Sequence, residues 1–158
     1  MTSTITGVEQ VDVRGPRFTA WVTTVVIVAT LIAAAFSNTA AAVIIGLQAV
    51  VFAVGAAGGP RKHPYGRIFA KLIAPRLGPV TEREPVPPLK FAQAVGLVFA
   101  VVAAVGFATT TGTGLSLVGL IATGFALIAA FLNAAFGICL GCMLYPLVAR
   151  LRRVPSPT

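Results

Sequence analysis

Four long stretches of this chain carry no charged residue: Phe18 to Phe36, Ala40 to Ala57, Phe91 to Thr109, and the run from Leu115 to Ala149. Each can cross a hydrocarbon core of about 30 Å, which takes roughly 20 helical residues. In water such segments need burial on every side. A chain of 158 residues that is 57% hydrophobic and 10% charged cannot supply the polar surface for that, because soluble domains carry about a quarter charged residues. In a bilayer every backbone polar group must be paired internally, which leaves helices or a closed barrel. Barrel strands need only about ten residues and alternate strictly; these runs are longer and do not alternate. The expected fold class is therefore all-α, an integral membrane four-helix bundle of two helical hairpins. Its apolar content excludes disorder, and two cysteines are too few for a disulfide-stapled secreted scaffold.

The cations order these spans. Arg14 and Arg17 precede the first; Arg61, Lys62, Arg67, Lys71, Arg76, Arg83 and Lys90 lie between the second and third; Arg150, Arg152 and Arg153 follow the fourth. These are all 12 Lys and Arg residues of the chain. Four crossings put every one of them on the same side, and the positive-inside bias makes that side the cytoplasm. The expected organisation is a cytoplasmic tail over 1–17, a first transmembrane hairpin over 18–57, a basic cytoplasmic loop over 58–90, a second hairpin over 91–149 and a cytoplasmic tail over 150–158. The net charge of +8 then reads as topology plus contact with anionic lipid headgroups, and no nucleic acid partner is expected.

Within the loop, Ile68, Phe69, Leu72 and Ile73 alternate with Arg67 and Lys71 in a pattern that suits a short amphipathic interfacial helix over Pro64 to Ala74. Arg61, Lys62, Arg67, Lys71 and Arg76 are its candidate contacts to lipid or to a soluble partner. Pro75, Pro79, Pro85, Pro87 and Pro88 predict an extended path beyond it. His63, the one histidine, is expected to be a solvated loop residue.

The fourth run carries Ala122, Ala126, Ala130 and Ala134, with Gly119 and Thr123 on the same side. A small residue every four positions lets another helix approach closely, within the bundle or across a homo-oligomer interface. Asn133, with Gln48 and Gln93, is polar in or near apolar sequence and should face the bundle interior. No carboxylate or lysine lies inside a span, which argues against a proton-coupled transporter.

A straight helix from Leu115 to Ala149 would be about 52 Å long at about 1.5 Å per residue, too long for one crossing. The run should end its crossing near Phe136 or Gly137 and continue as a short C-terminal interfacial helix bearing Arg150, Arg152 and Arg153. That corner holds Gly137-Ile138-Cys139-Leu140-Gly141-Cys142. Residues three apart on a helix have Cβ atoms about 5–6 Å apart, and a disulfide needs about 3.8 Å, an adjustment the flanking glycines can supply. A helix starting near Cys139 would lower that thiol's pKa through its free amides, making Cys139 the candidate nucleophile and Cys142 the resolving thiol. Inert packing and half of a metal site remain alternatives. Cys139 and Cys142 are weak metal candidates, since structural zinc takes four ligands.

The segments Arg61 to Phe99 and Ala134 to Leu151, with Pro64 and Gly66, Ala74-Pro75-Arg76-Leu77-Gly78, Pro88, Phe91-Ala92-Gln93 and Phe136-Gly137-Ile138-Cys139-Leu140-Gly141-Cys142, resemble a bacterial family of small four-span membrane proteins catalogued as a domain of unknown function. The resemblance extends from Arg14 to Arg153. It implies a bacterial inner-membrane location and, because members are often encoded near thioredoxin-like proteins and sulfurtransferases, thiol or sulfur handling. Many members carry a second cysteine pair in a C-terminal tail; this chain ends without one, so an internal two-pair relay is not expected.

Three functions stay open at this level. One is a thiol–disulfide or sulfur-handling component whose Cys139 and Cys142 exchange with a cytosolic thioredoxin-like protein or sulfurtransferase, with no bound cofactor. The second is a non-enzymatic scaffold or small permease subunit. The third is a metal-binding membrane protein. No phosphate-binding loop and no nucleophile–histidine–acid set is present, and whether the chain is an enzyme stays undecided.

Overall fold

The computed structural model describes residues 7–110 and 114–152. Its long helices are α1 (Arg14–Ala34), α2 (Asn38–Gly58), α4 (Val86–Thr109) and α5 (Leu117–Phe136), with a short α3 (Pro64–Ile68) and a closing α6 (Leu140–Arg152). All four long helices are apolar and long enough to cross a membrane.

Two devices set the hairpin turns. Ser37 caps α2 by accepting from the Ala40 amide at 3.2 Å, and Ser116 caps α5 by accepting from the Gly119 amide at 3.2 Å; each satisfies one of the amides a helix start leaves free. The hairpins close into a ring in which α2 packs on α4, α4 on α5, α5 on α1 and α1 on α2. The centre is built from Ile27, Ile45, Phe52 and Phe107 with alanines 41, 100, 103, 122 and 126. Large apolar side chains point outward: Val25, Leu47, Val98 and Ile121 are 65%, 66%, 61% and 58% exposed. Such a surface is stable only in a lipid solvent. The chain is a multi-pass membrane protein.

The alanine stripe is used within the protomer. Ala122, Ala126 and Ala134 are buried, as are Gly119 and Thr123, while Ala130 is half-buried against the core. Gly106 on α4 meets Gly119 on α5 so closely that a Cβ on Gly106 would stand 2.6 Å from the Gly119 nitrogen.

The loop differs from the extended path expected of its prolines. Pro87 and Pro88 lie in the first turn of α4, which begins at Val86. Their missing amides cost nothing there, because a helix start has no partner for them. The helix that carries the third apolar run thus starts five residues before Phe91. Ahead of it, β2 (Arg83–Pro85) pairs antiparallel with β1 (Gln10–Asp12), Val11 opposite Glu84. Asp12 binds Arg14 at 2.7 Å, which holds its carboxyl below the usual carboxylate range, and Arg14 also donates to the Gly78 carbonyl at 3.2 Å. This ribbon ties the start of α1 to the start of α4.

The segment after Pro64 is helical, as expected, but changes pitch: α3 passes into a wide turn over Phe69–Ile73 and a tight one over Ala74–Arg76. Phe69 is buried against Phe18, with ring centroids 5.8 Å apart. Ile68 and Leu72 stay exposed beside the exposed cations Arg67 and Lys71.

Candidate functional site

The corner between α5 and α6 is built by glycine. Gly137 ends α5 in the left-handed region, φ 70° and ψ 15°, and its amide and that of Ile138 return to the carbonyls of Asn133 and Leu132. This is the closing arrangement a helix adopts when glycine follows its last turn. The chain reverses and α6 starts at Leu140, so the crossing ends where the glycine and the excess length require.

Cys139 immediately precedes α6. Its carbonyl accepts from the Met143 amide at 3.0 Å, and its Sγ accepts from the Cys142 amide at 3.3 Å. Cys139 and Cys142 are joined as a disulfide, with Cα atoms 5.2 Å apart, inside the usual range. Both are half-buried. Gly141 brings this turn against α4: a Cβ there would stand 2.6 Å from both Cα and Cβ of Ala92. Tyr145 packs on Phe91 with centroids 6.0 Å apart. The pair is therefore held on the bundle.

Cys139 also faces a cavity of about 300 Å³ between α1, α4, α5 and α6. Its walls are mainly apolar and small, including Ala20, Ala92, Gly96, Phe99, Phe125, Ala126 and Ala130; its polar residues include His63, Gln93 and Asn133. Of the packing residues named from sequence, Ala126, Ala130 and Asn133 line this cavity, while Ala122 does not.

His63 corrects the solvated-loop expectation: it is 1% exposed. Gly59, at φ 73°, turns the chain back after α2, and the absence of a side chain at Gly55 makes room for the ring. A Cβ on Gly55 would stand 2.5 Å from His63 Cδ2 and 3.0 Å from Gln93 Oε1. Gln93 faces the ring, but neither ring nitrogen nor Gln93 Oε1 completes a hydrogen bond within the protein. Gln48 is buried as well; its Oε1 accepts from the Tyr65 hydroxyl at 2.9 Å, and its Nε2 has no protein partner. Sequence reasoning missed the His63–Gln93 pair. The available signal was glycine at position 55 facing glutamine at 93 on a neighbouring helix, and the pairing of those helices is not visible in one dimension.

Burial drives the His63 imidazole down to about 4 from an ordinary 6.5, with Gln93 opposing weakly. A base whose folded pKa is depressed stabilises the fold fully above its unfolded value and loses that contribution as pH falls toward the folded one. Between neutral pH and about pH 4 the loss should reach about 3 kcal/mol. The expected result is a steep fall in the unfolding midpoint of detergent-solubilised protein over that window, flattened in His63→Gln.

Among the described residues, no group of three or more His, Cys, Asp or Glu stands close enough to hold a metal ion. His63 and Cys139 border one cavity without forming such a group. The loop cations Arg61, Lys62, Arg67, Lys71 and Arg76 are all exposed, and Arg61 pairs with Glu9 at 3.0 Å. They lie at the end of the bundle that carries the β-ribbon. Arg150 is exposed on α6, and Arg153 lies outside the described residues.

No curated protein and no solved structure matches the chain. A family model does, over residues 11–150, an interval that takes in the four spans, the loop and the cysteine corner. The chain belongs to the family described as Domain of unknown function (DUF4395).

Proposed function

We propose that this protein is a thiol–disulfide or sulfur-handling component of the bacterial inner membrane, with Cys139 and Cys142 as its exchanging pair at the cytoplasmic face. The observation that carries the reading is the disulfide itself, formed across one turn at the start of α6 and held against α4. Inert packing cysteines have no need of this placement. Clustering of the basic loop at one end supports the orientation through the positive-inside bias. In the exchange, a thiolate of a thioredoxin-like partner attacks Cys139 Sγ and Cys142 leaves as thiolate. A second partner thiol then attacks the partner's own sulfur, releasing Cys139 and the partner's disulfide. Two electrons pass to the pair. The cytosol is reducing, so the disulfide is a transient state there. A sulfurtransferase is the second partner class, and the exposed cations Arg61, Lys62, Arg67, Lys71 and Arg76 are the surface such a partner would meet.

Labelling with a membrane-impermeant alkylator, in intact cells and inverted vesicles, tests this directly. The expected outcome is modification of both cysteines only from the cytoplasmic face, and more strongly after reduction. Labelling without any effect of reductant marks a resting dithiol or a bound metal, and the same result after prior oxidation of the vesicles contradicts an exchanging pair. Absence of labelling from either face leaves a non-enzymatic scaffold or permease subunit as the better account.

A further inference from the structure

The fold divides the five loop cations that the sequence leaves equivalent. Arg61 is held by Glu9 at 3.0 Å. Lys62 lays its stem on the end of α2, where a Cβ on Gly58 would stand 2.6 Å from Lys62 Cβ and Cδ. Arg67, Lys71 and Arg76 are exposed and, among the described residues, form no ion pair. The four acids of the chain, Glu9, Asp12, Glu82 and Glu84, all lie in or beside the β-ribbon. Each of the three free cations has an exposed apolar neighbour instead: Ile68 is 47% exposed, Leu72 61% and Leu77 40%. Arg67 with Lys71, and Ile68 with Leu72, stand one turn apart, so charge and hydrocarbon run side by side along the segment.

Phe69 fixes the depth of this face. Its ring is buried 5.8 Å from that of Phe18, and a Cβ on Gly15 would touch it at 3.4 Å. Phe18 is the first residue of the first uncharged run, where the chain enters the hydrocarbon. The segment therefore lies along the membrane boundary rather than out in the aqueous phase. At that depth exposed isoleucine and leucine reach acyl chains, while arginine and lysine extend their stems to the headgroups. A soluble protein would have to cover the apolar pair at the level of the lipid. A zwitterionic headgroup brings its own cation and leaves the positive charge unanswered. We infer that residues 64–77 dock on anionic phospholipid, with Arg67, Lys71 and Arg76 on the headgroup phosphates and Ile68 and Leu72 among the acyl chains beneath. This site stands apart from the proposed function, because the cysteine pair takes no part in it. A sulfurtransferase would compete with lipid for the same three cations.

Leu72→Trp in a Trp21→Phe background moves the single tryptophan of the chain to this exposed face. The full-length protein is reconstituted in vesicles of one phosphatidylcholine–phosphatidylglycerol composition. A bromine quencher sits on the acyl chains of the phosphatidylglycerol in one set, and of an equal amount of phosphatidylcholine in the other. Brominated phosphatidylglycerol should quench at least about twofold more strongly, since each Lys or Arg at an anionic surface favours it about fivefold. High salt should shrink the excess. The triple variant Arg67→Gln, Lys71→Gln, Arg76→Gln should abolish it, while quenching by brominated phosphatidylcholine persists. Equal quenching by the two lipids in the unsubstituted loop overturns the anionic site. An excess that the triple variant keeps overturns the assignment to these cations. Absence of quenching by either lipid puts the segment in water, overturns lipid docking altogether and leaves the cations to a soluble partner.

Discussion

Gly106→Val is expected to abolish the folded bundle or to lower its unfolding midpoint drastically. A Cβ at this position would lie 2.6 Å from the Gly119 nitrogen and 3.1 Å from its Cα. These are backbone atoms of α5, so no side-chain rotation relieves the clash. Moving α5 away would also undo the close contact that α5 makes with Phe107 of α4. Gly119 in turn faces the Phe107 ring, which a Cβ would meet at 2.7 Å, and Phe107 is 1% exposed in the centre of the core. In a membrane the hydrophobic effect does not press helices together, and close packing of small residues takes its place. Overpacking costs about 1–3 kcal/mol where side chains can shift; here the obstacle is backbone, and the loss should be about 3 kcal/mol or more. Gly124→Val is the matched control: it lies on α5, the helix that Gly106 of α4 packs against, with nothing within 4 Å of its Cβ position. Unfolding of both variants in detergent should show a large loss for the first and little change for the second. Equal effects would show that the α4–α5 crossing does not depend on contact at Gly106.

The second large effect concerns the asymmetry of the cysteine pair. Cys142→Ser should accumulate a mixed disulfide with a thioredoxin-like partner through Cys139, whereas Cys139→Ser should reduce capture to background. Cys139 stands ahead of the first turn of α6, where free amides stabilise a thiolate, and the Cys142 amide donates to its sulfur at 3.3 Å. In the Cys142→Ser protein, Cys139 attacks the disulfide that a single-cysteine thioredoxin carries with thionitrobenzoate, expels thionitrobenzoate and forms the mixed species. Neither Cys142 nor a second partner thiol is left to resolve it, so the adduct persists. Non-reducing electrophoresis of membranes incubated with that activated thioredoxin measures the adduct. Trapping by Cys139→Ser instead would reverse the roles, and trapping by neither would remove the exchange reading. Replacement of Gly141 should weaken trapping less, because it displaces the turn from Ala92 without removing a sulfur.

Much of the architecture was readable before any coordinates. Four apolar runs, the placement of all 12 cations and the excess length after Leu115 each rest on a one-dimensional constraint. A segment must match the bilayer thickness, charges must avoid the hydrocarbon, and an over-long helix must break at glycine. The structure agrees in the four helices and in the break at Gly137. Asn133 faces the interior as its polarity requires, and Cys139 and Cys142 sit at the corner where the crossing ends.

Local rules went astray where they met a tertiary partner. Pro87 and Pro88 read as breakers until the chain before them is pinned by β1, which fixes the start of α4 at Val86. His63 reads as a loop residue because its neighbours in sequence are polar. It is buried because Gly55 leaves a hole that its ring fills and Gln93 faces it from another helix. The alanine stripe was compatible with a second chain or with this one, and packing between α1, α4 and α5 decided for this one. The sequence by itself determined what the chain dissolves in, how many times it crosses and where its charges gather, since those depend on the solvent and on residues taken in order. Only the tertiary structure decided which polar groups are left unsatisfied and which of them share a cavity with Cys139, since that depends on side chains that α2, α4, α5 and α6 bring together from far apart in the chain.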